Sequence, residues 1–580
     1  MQSLRVLVLA NCLFLANCGE APLLEDVAAD LIFFNGKIIT VDSDFSLASA
    51  LAVKDGRFLR VGQDQDVLSL AGAATEKVDL QGKSVVPGFI DTHIHALLPT
   101  ANTVFLDKAG SVAEILAAFR TKVGQTPAGT WIGAFPFISV DQIQEGRLPD
   151  RWELDSVSPN NPVFIFYHGH LVAANSLALT AAGITTTVND QKWVMRNPVN
   201  GELNGWLLED EALRVVALFP GDNVDQTVAG VRNISQRLNA VGITGVINQL
   251  SGTTTSPAFR ALDRLRREGE LTLRWRFNYT LPFAVAEDPM REAIGHLGPP
   301  TGYGDEWLQL GALGELSFDG WWEPMDTAYL REPYEGSYSR QQGTGDLRYS
   351  IEMVRAICLA AAENDIQMSV HVAGSAALDE VLNIYEEVNE VYPISSKRWT
   401  IEHGGFLPTP NNLAQAKQLG VIVATQQSIS HYVPKALREM LGERRAANLF
   451  PNRTWLDAGI KVAGGSDFPG APLSPLLGIY ASVTRKTAIG GLAPEEAINR
   501  EEALQLYTIN AAHISFEEGL KGSIEAGKLA DFVVLSDDLL TVPEETIKDI
   551  DVLMTVVGGN IVYEVNPSGA IGATDAPVTR

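Results

Sequence analysis

The stretch Val85-Val86-Pro87-Gly88-Phe89-Ile90-Asp91-Thr92-His93-Ile94-His95 decides how this chain is read. After the Pro87-Gly88 punctuation, Phe89, Asp91, His93 and His95 alternate with Ile90, Thr92 and Ile94, the two-residue period of a β-strand. Both histidines therefore share one face. Two imidazoles so placed can reach one small cation, at roughly 2.0–2.1 Å each for zinc. Histidine is scarce, nine in 580 residues, so a His-x-His on an apolar strand points to a metal site rather than to two packed side chains.

Outward from that strand, the chain divides into three kinds of pattern. Residues 30–87 hold short strand-like runs separated by Asn35-Gly36, Asp55-Gly56 and Gln81-Gly82, which predict a small antiparallel sheet. Similar runs return at 530–535, 551–557 and 560–563, with Gly558-Gly559 as a turn. The expectation is one β-sandwich built from both chain ends, residues 27–86 and 520–566, with a tail over 567–580. Between them, 87–519 alternates strand and helix. Apolar strand candidates follow at 243–250, 272–280, 308–318, 366–371, 398–403, 421–427 and 460–466, and amphipathic helices at 254–269, 347–364, 375–390 and 438–459. Eight strands separated mainly by helices predict an α/β fold, a parallel (β/α)8 TIM barrel with its chemistry at the C-terminal strand ends. The gap of about 150 residues between strands one and two is far longer than one crossover, so an inserted subdomain is expected over about 100–220.

Composition narrows the function. With 46% hydrophobic and 20% charged residues the chain can bury a sizeable core. A net charge of −26 argues against a nucleic-acid partner; a small molecule is the expected substrate, and a homo-oligomer is left open. The first residues read as a short basic segment, an apolar run over 6–16 and a processing site, too short for a membrane span of about 20 residues. Leu15-Ala16-Asn17-Cys18 resembles a bacterial lipobox, with Asn17 where a small residue is usual. Residues 1–18 are therefore expected to be an export signal, with a lipid anchor at Cys18 and a location in the cell envelope or periplasm. Only Cys358 would then remain unmodified, which excludes a disulfide framework.

The other strand ends supply what the His-x-His lacks. Strand five ends at His371, strand six at Glu402-His403, strand eight in Gly464-Gly465-Ser466-Asp467, and strand four carries Glu315 before Asp319-Gly320. In a barrel these ends meet at one mouth, gathering nitrogen and oxygen donors suited to zinc or a related divalent ion. With Tyr507-Thr508-Ile509-Asn510-Ala511-Ala512 and Gly522-Ser523-Ile524-Glu525-Ala526-Gly527-Lys528-Leu529-Ala530-Asp531, these motifs resemble the metal-dependent amidohydrolase superfamily, in its family 3 or YtcJ-like branch, over nearly the whole chain.

That resemblance implies one or two divalent ions. His93, His95 and Asp467 would hold the more buried ion, and His371 and His403 the second. Glu315 would bridge them, where the branch commonly carries a lysine in Lys-x-x-x-Asp-Gly. It also implies hydrolysis of an amide-type C–N bond, in an amide, cyclic amide or N-acyl compound, with Asp467 as the catalytic proton carrier beside a water whose pKa the ion brings toward about 7. Two other readings stand beside it: a mononuclear hydrolytic deaminase, and an exported binding protein on a lapsed scaffold. Expected substrate contacts are His170 in His168-Gly169-His170, Trp321 and Trp322 after strand four, and Gln426 near the end of strand seven.

Overall fold

The computed structural model describes residues 28–106, 108–135, 140–185, 193–280, 287–323, 325–336, 343–432 and 434–565. The lipobox with Asn17 and Cys18, and the tail at 567–580, lie outside the described residues. Among these, no helix is long and apolar enough to cross a membrane.

Eight parallel strands form one sheet in sequential order: β1 (Phe89–Ile94), β2 (Ile243–Asn248), β3 (Arg274–Tyr279), β4 (Leu308–Ser317), β5 (Met368–His371), β6 (Thr400–Glu402), β7 (Ile422–Thr425) and β8 (Val462–Gly464). The ring closes where β8 meets β1: the Thr92 hydroxyl donates to the Gly464 carbonyl at 3.0 Å and the Asp467 N–H to the His93 carbonyl at 2.7 Å. Gly465 permits this approach, since a Cβ there would stand 2.7 Å from the His93 nitrogen. Register aligns the strand ends, with Ser317 opposite His371 and His371 opposite Glu402.

Helices such as Pro257–Glu268, Ile351–Glu363 and Ser375–Val391 pack their apolar stripes on the barrel's outer face. The resulting core contains Trp275, Ile357, Leu378, Trp399 and Trp455, all at most 1% exposed. One expected helix is not continuous. Residues 438–459 fall into Pro434–Ala447, itself kinked at Gly442 with its φ of 74°, and Asn452–Asp457, which Pro451 precedes.

Both chain ends contribute to the smaller sheets. In a six-stranded sheet, Phe532–Leu535 pairs antiparallel with Ser84–Pro87, joining the end of the chain to its beginning. A four-stranded sheet is formed by Arg57–Gly62, Ala50–Lys54, Ala29–Phe34 and Ala71–Asp79. These sheets are mixed rather than antiparallel: Ala29–Phe34 runs parallel to Ala71–Asp79, and Lys37–Ile39 parallel to Ser84–Pro87. Tight turns fix hairpins between successive strands, but these parallel pairs join strands distant in sequence, which no local turn signal reports. A buried Arg274–Asp531 pair, at 2.6 and 2.8 Å, ties β3 to the segment leading into Phe532–Leu535.

Between β1 and β2 lies a third sheet of six strands, from Thr103–Val104 to Leu203–Leu208, with its own apolar cores. Its strand Val163–Tyr167 and helix Glu209–Val216 carry side chains to the barrel mouth.

Candidate metal centre

At the C-terminal strand ends the predicted donors come together. His93 leaves β1 pointing inward, its ring held from behind: Nδ1–H donates to the Glu402 carboxylate at 2.7 Å, so Nε2 faces the centre. His403 is held the same way, its Nδ1–H donating to Gln426 Oε1 at 2.8 Å. His371 is reversed; its Nε2–H donates to the Gly320 carbonyl at 3.0 Å and Nδ1 faces inward. Each ring thus commits one nitrogen to a fixing partner and presents the other, as metal-ligating histidines do.

Glu315 lies in the middle and its two oxygens face different histidines. Oε1 stands 3.4 Å from His93 Nε2 and 3.3 Å from His95 Nε2. Oε2 stands 3.1 Å from His371 Nδ1 and 3.3 Å from His403 Nε2. Asp467 Oδ1 completes the first group, 3.4 Å from His93 Nε2 and 3.2 Å from His95 Nε2. These spacings match the edge of a tetrahedron whose corners lie roughly 2.0–2.1 Å from its centre, about 3.3 Å. The inward Nε2 atoms of His93 and His403 are buried and make no hydrogen bond of good geometry, the condition of donors facing a cation. The donor set fits a divalent ion. His93, His95 and Asp467 form one compact trio, and His93, Glu315 and His403 another.

The electrostatics favour positive charge here. Burial works against ionisation of Glu315, but the His93 charge and hydrogen bonds from His371, His403 and His93 hold it well below the carboxylate range. Asp467 is likewise lowered, hydrogen bonds with His93 and His95 outweighing burial. In return, and again against burial, the two carboxylates raise His93 well above its ordinary value and His95 to about 9. His403 moves down, pushed by burial and by the neighbouring His371. Two of these donors, His403 and Asp467, sit at left-handed φ values of 64° and 57°, a conformation costly for non-glycine residues and typical of functional sites.

The remaining sequence expectations divide. His170 lies on the wall of the cavity above the centre; its Nδ1 contacts Glu209 at 2.9 Å, and its ring centroid is 5.0 Å from that of His371. Trp321, Trp322 and Gln426 do not line that cavity. Trp321 packs edge-on against His403 at 4.8 Å and is 2% exposed, whereas Trp322 is fully buried and donates its indole N–H to Ala373. Gln426 is fully buried because its amide oxygen is committed to His403. Trp321 and Gln426 stand behind His403, and Trp322 packs in the core beside Trp321, Phe406 and Phe450.

Sequence reasoning passed over Glu402, whose Oε1 accepts from Ser369 at 2.8 Å and from Thr400 while Oε2 holds His93. Its signal was the strand alternation Thr400, Glu402, placing the carboxylate inside the barrel. It also passed over Asp319 as a loop anchor, where it accepts the N–H groups of Ala373, Gly374 and Tyr329. The buried Glu209, 3.5 Å from Arg348, has no sequence signal, since both come from distant segments.

The open side of the centre is a cavity of about 320 Å³ between the barrel mouth and the third sheet. His95 and Asp467 are the candidate ligands most exposed to it, at 20% and 17%.

An eight-stranded parallel barrel with five histidine and carboxylate donors at its mouth, and a sixth bridging between them, defines a metal-dependent hydrolase of C–N bonds. The chain belongs to the amidohydrolase family, whose sequence pattern matches residues 76–563. It is 29% identical over 552 residues to the N-substituted formamide deformylase of Arthrobacter pascens, covering 92% of this chain and 98% of that one. It is 28% identical to the putative amidohydrolase YtcJ of Bacillus subtilis (strain 168), covering 92% and 99% respectively. An uncharacterized metal-dependent hydrolase from Pyrococcus horikoshii OT3 shares the fold, with a TM-score of 0.68 at 24% identity over 89% of this chain and 99% of that one. Neither a deaminase nor a lapsed binding scaffold is favoured: every ligand position holds a donor, and the bridging position holds a carboxylate.

Proposed function

We propose that this protein hydrolyses a non-peptide amide, an N-acyl or N-formyl amine or a cyclic amide, at a centre of two divalent ions bridged by Glu315. The observation that carries the reading is the division of Glu315, one oxygen toward His93 and His95 and the other toward His371 and His403. His93, His95 and Asp467 would hold one ion, His371 and His403 the other, with zinc the natural occupant of such nitrogen and oxygen donors. When bound, the cations supply a water acidic enough to ionise near neutral pH and polarise the substrate carbonyl. Asp467, partly exposed and kept ionised by its histidine neighbours, takes the proton from the attacking water and returns it to the leaving nitrogen. His170, held by Glu209, stands on the cavity wall where it can orient the carbonyl. A cavity near 320 Å³ suits a small molecule rather than a polypeptide. The relative named as an N-substituted formamide deformylase, matched over almost its whole length, supports the same substrate type.

The test is turnover of a panel of N-formyl amines, N-acetyl amines and cyclic amides by zinc-loaded protein, beside Asp467→Asn. Hydrolysis that falls by about 10²–10⁴ in the variant is expected. No amide turnover by protein carrying its metal would overturn the reading, as would an Asp467→Asn enzyme of unchanged rate.

A further inference from the structure

The cavity has a second character that the metal centre does not explain. Away from the ligands its wall is apolar, made by Leu97 and Leu98 just after β1 and by Phe135, Phe166, Leu213 and Phe219 of the third sheet and its helix. The phenylalanines brace one another edge to face: Phe135 lies 6.2 Å from Phe166 and 6.0 Å from Phe219, centroid to centroid. Phe166 breaks the burial of its strand, since Val163, Phe164, Ile165 and Tyr167 are buried while Phe166 is partly exposed and lines the cavity. A fixed apolar wall left facing water is a surface that a bound apolar group stabilises by covering it.

The distribution of charge points the same way. Apart from the centre's histidines and His168 and His170, the one cationic side chain among the described lining residues is Arg348, and its guanidinium is committed. It is 2% exposed, 2.7 Å from Asp210 and 3.5 Å from Glu209. The carboxylates that line the cavity, Glu315 and Asp467, belong to the centre. Among the described lining residues, therefore, a basic substituent finds no carboxylate outside the centre, and an acidic one finds, outside the centre, only Arg348, already facing two carboxylates, and the imidazoles of His168 and His170.

We infer that the substrate carries an uncharged aryl or branched alkyl group on one flank of the scissile C–N bond, seated against Phe135, Phe166 and Phe219. This rests on the proposed hydrolysis of a small amide and adds the substituent that the third sheet selects. The sheet inserted between β1 and β2 is then the specificity element of the enzyme.

The experiment uses zinc-loaded full-length protein and two matched series. One varies the amine side of a formamide (N-methyl, N-isobutyl, N-benzyl, N-carboxymethyl, N-aminoethyl), and the other varies the acyl side of an N-methylamide in the same steps. The benzyl or isobutyl member of at least one series should exceed its methyl member by about 100-fold in kcat/KM, and the charged members should fall with or below methyl. Phe166→Ala should cut that preference about tenfold. Calorimetric binding of the same compounds keeps the two claims apart. Phe166-dependent binding of aryl amides without turnover would uphold the apolar seat and refute hydrolysis. Turnover with no preference for apolar groups in either series, or a preference for charged ones, would uphold hydrolysis and overturn this inference. Should Phe166→Ala fail to fold, the selectivity of the wild-type protein across the two series decides between these outcomes.

Discussion

Glu402 touches no substrate, yet the structure makes it a determinant of metal affinity. Its Oε2 accepts the His93 Nδ1–H at 2.7 Å, while Ser369 and Thr400 donate to its Oε1. Glu402→Gln preserves shape and can still offer an amide oxygen to His93, and the two hydroxyls can rotate to accept from the amide NH2. What disappears is the charge on the bond. A hydrogen bond to a charged group contributes about 1.5–3 kcal/mol against about 0.5–1.5 for a neutral one, so the loss is about 1–1.5 kcal/mol. That is roughly tenfold in metal affinity, the lower end of the 10–100-fold commonly seen when such supporting partners change. Glu402→Leu, by contrast, strands three buried donors at about 1–3 kcal/mol each and should lower folding stability as well. The assay is competition for zinc against a chelator of known affinity, with circular dichroism to confirm an intact Glu402→Gln fold. A folded Glu402→Gln protein with unchanged zinc affinity would refute the argument that this carboxylate sets the His93 ligand.

Other consequences follow from the same charges and contacts. With its carboxylate neighbours holding His95 at about 9, against the opposing effect of burial, an entering cation must displace its proton below that pH. Zinc affinity should thus rise between about pH 6 and about pH 8, by up to tenfold per unit for each proton displaced, and calorimetry in buffers of different ionisation enthalpy should show protons released; pH-independent binding would contradict this. Gln426→Leu leaves the His403 Nδ1–H buried without an acceptor and should weaken retention of one ion while sparing the other, read as metal content after graded chelation. Asp531→Ala leaves the buried Arg274 guanidinium with only Glu306, at 4.0 Å, as a carboxylate partner, at a cost of about 3–5 kcal/mol seen as a lower urea midpoint; a shift worth under about 1 kcal/mol would show that the Arg274–Asp531 pair is not what joins the barrel to the terminal sheets.

The barrel was legible because its signals are local. The alternation of 89–95 gave β1 and the shared face of two candidate ligands, and the apolar runs gave the other seven strands within a few residues. The long gap after β1 announced the insertion but not its sheet. What stayed hidden depends on partners distant in sequence. Parallel pairing of Ala29–Phe34 with Ala71–Asp79 carries no turn signature, so an antiparallel sheet was expected. Trp321, Trp322 and Gln426 had the chemistry of substrate contacts, and only the tertiary packing sets Trp321 and Gln426 against the back of His403 and buries Trp322 beside Ala373. Glu402 was visible as a residue type on the right strand face, yet its partner His93 lies 309 positions away. The aromatic wall required Phe135, Phe166 and Phe219 to meet from three separate segments.

The central claim is that Glu315 bridges two cations. Elemental mass spectrometry of purified wild-type protein and Glu315→Gln, each loaded with zinc and freed of excess, tests it most directly. The account predicts close to two ions per chain in the wild type, falling toward one or none in the variant, because a neutral amide cannot serve two cations with two charged oxygens. One ion in both proteins, or two in both, would contradict it.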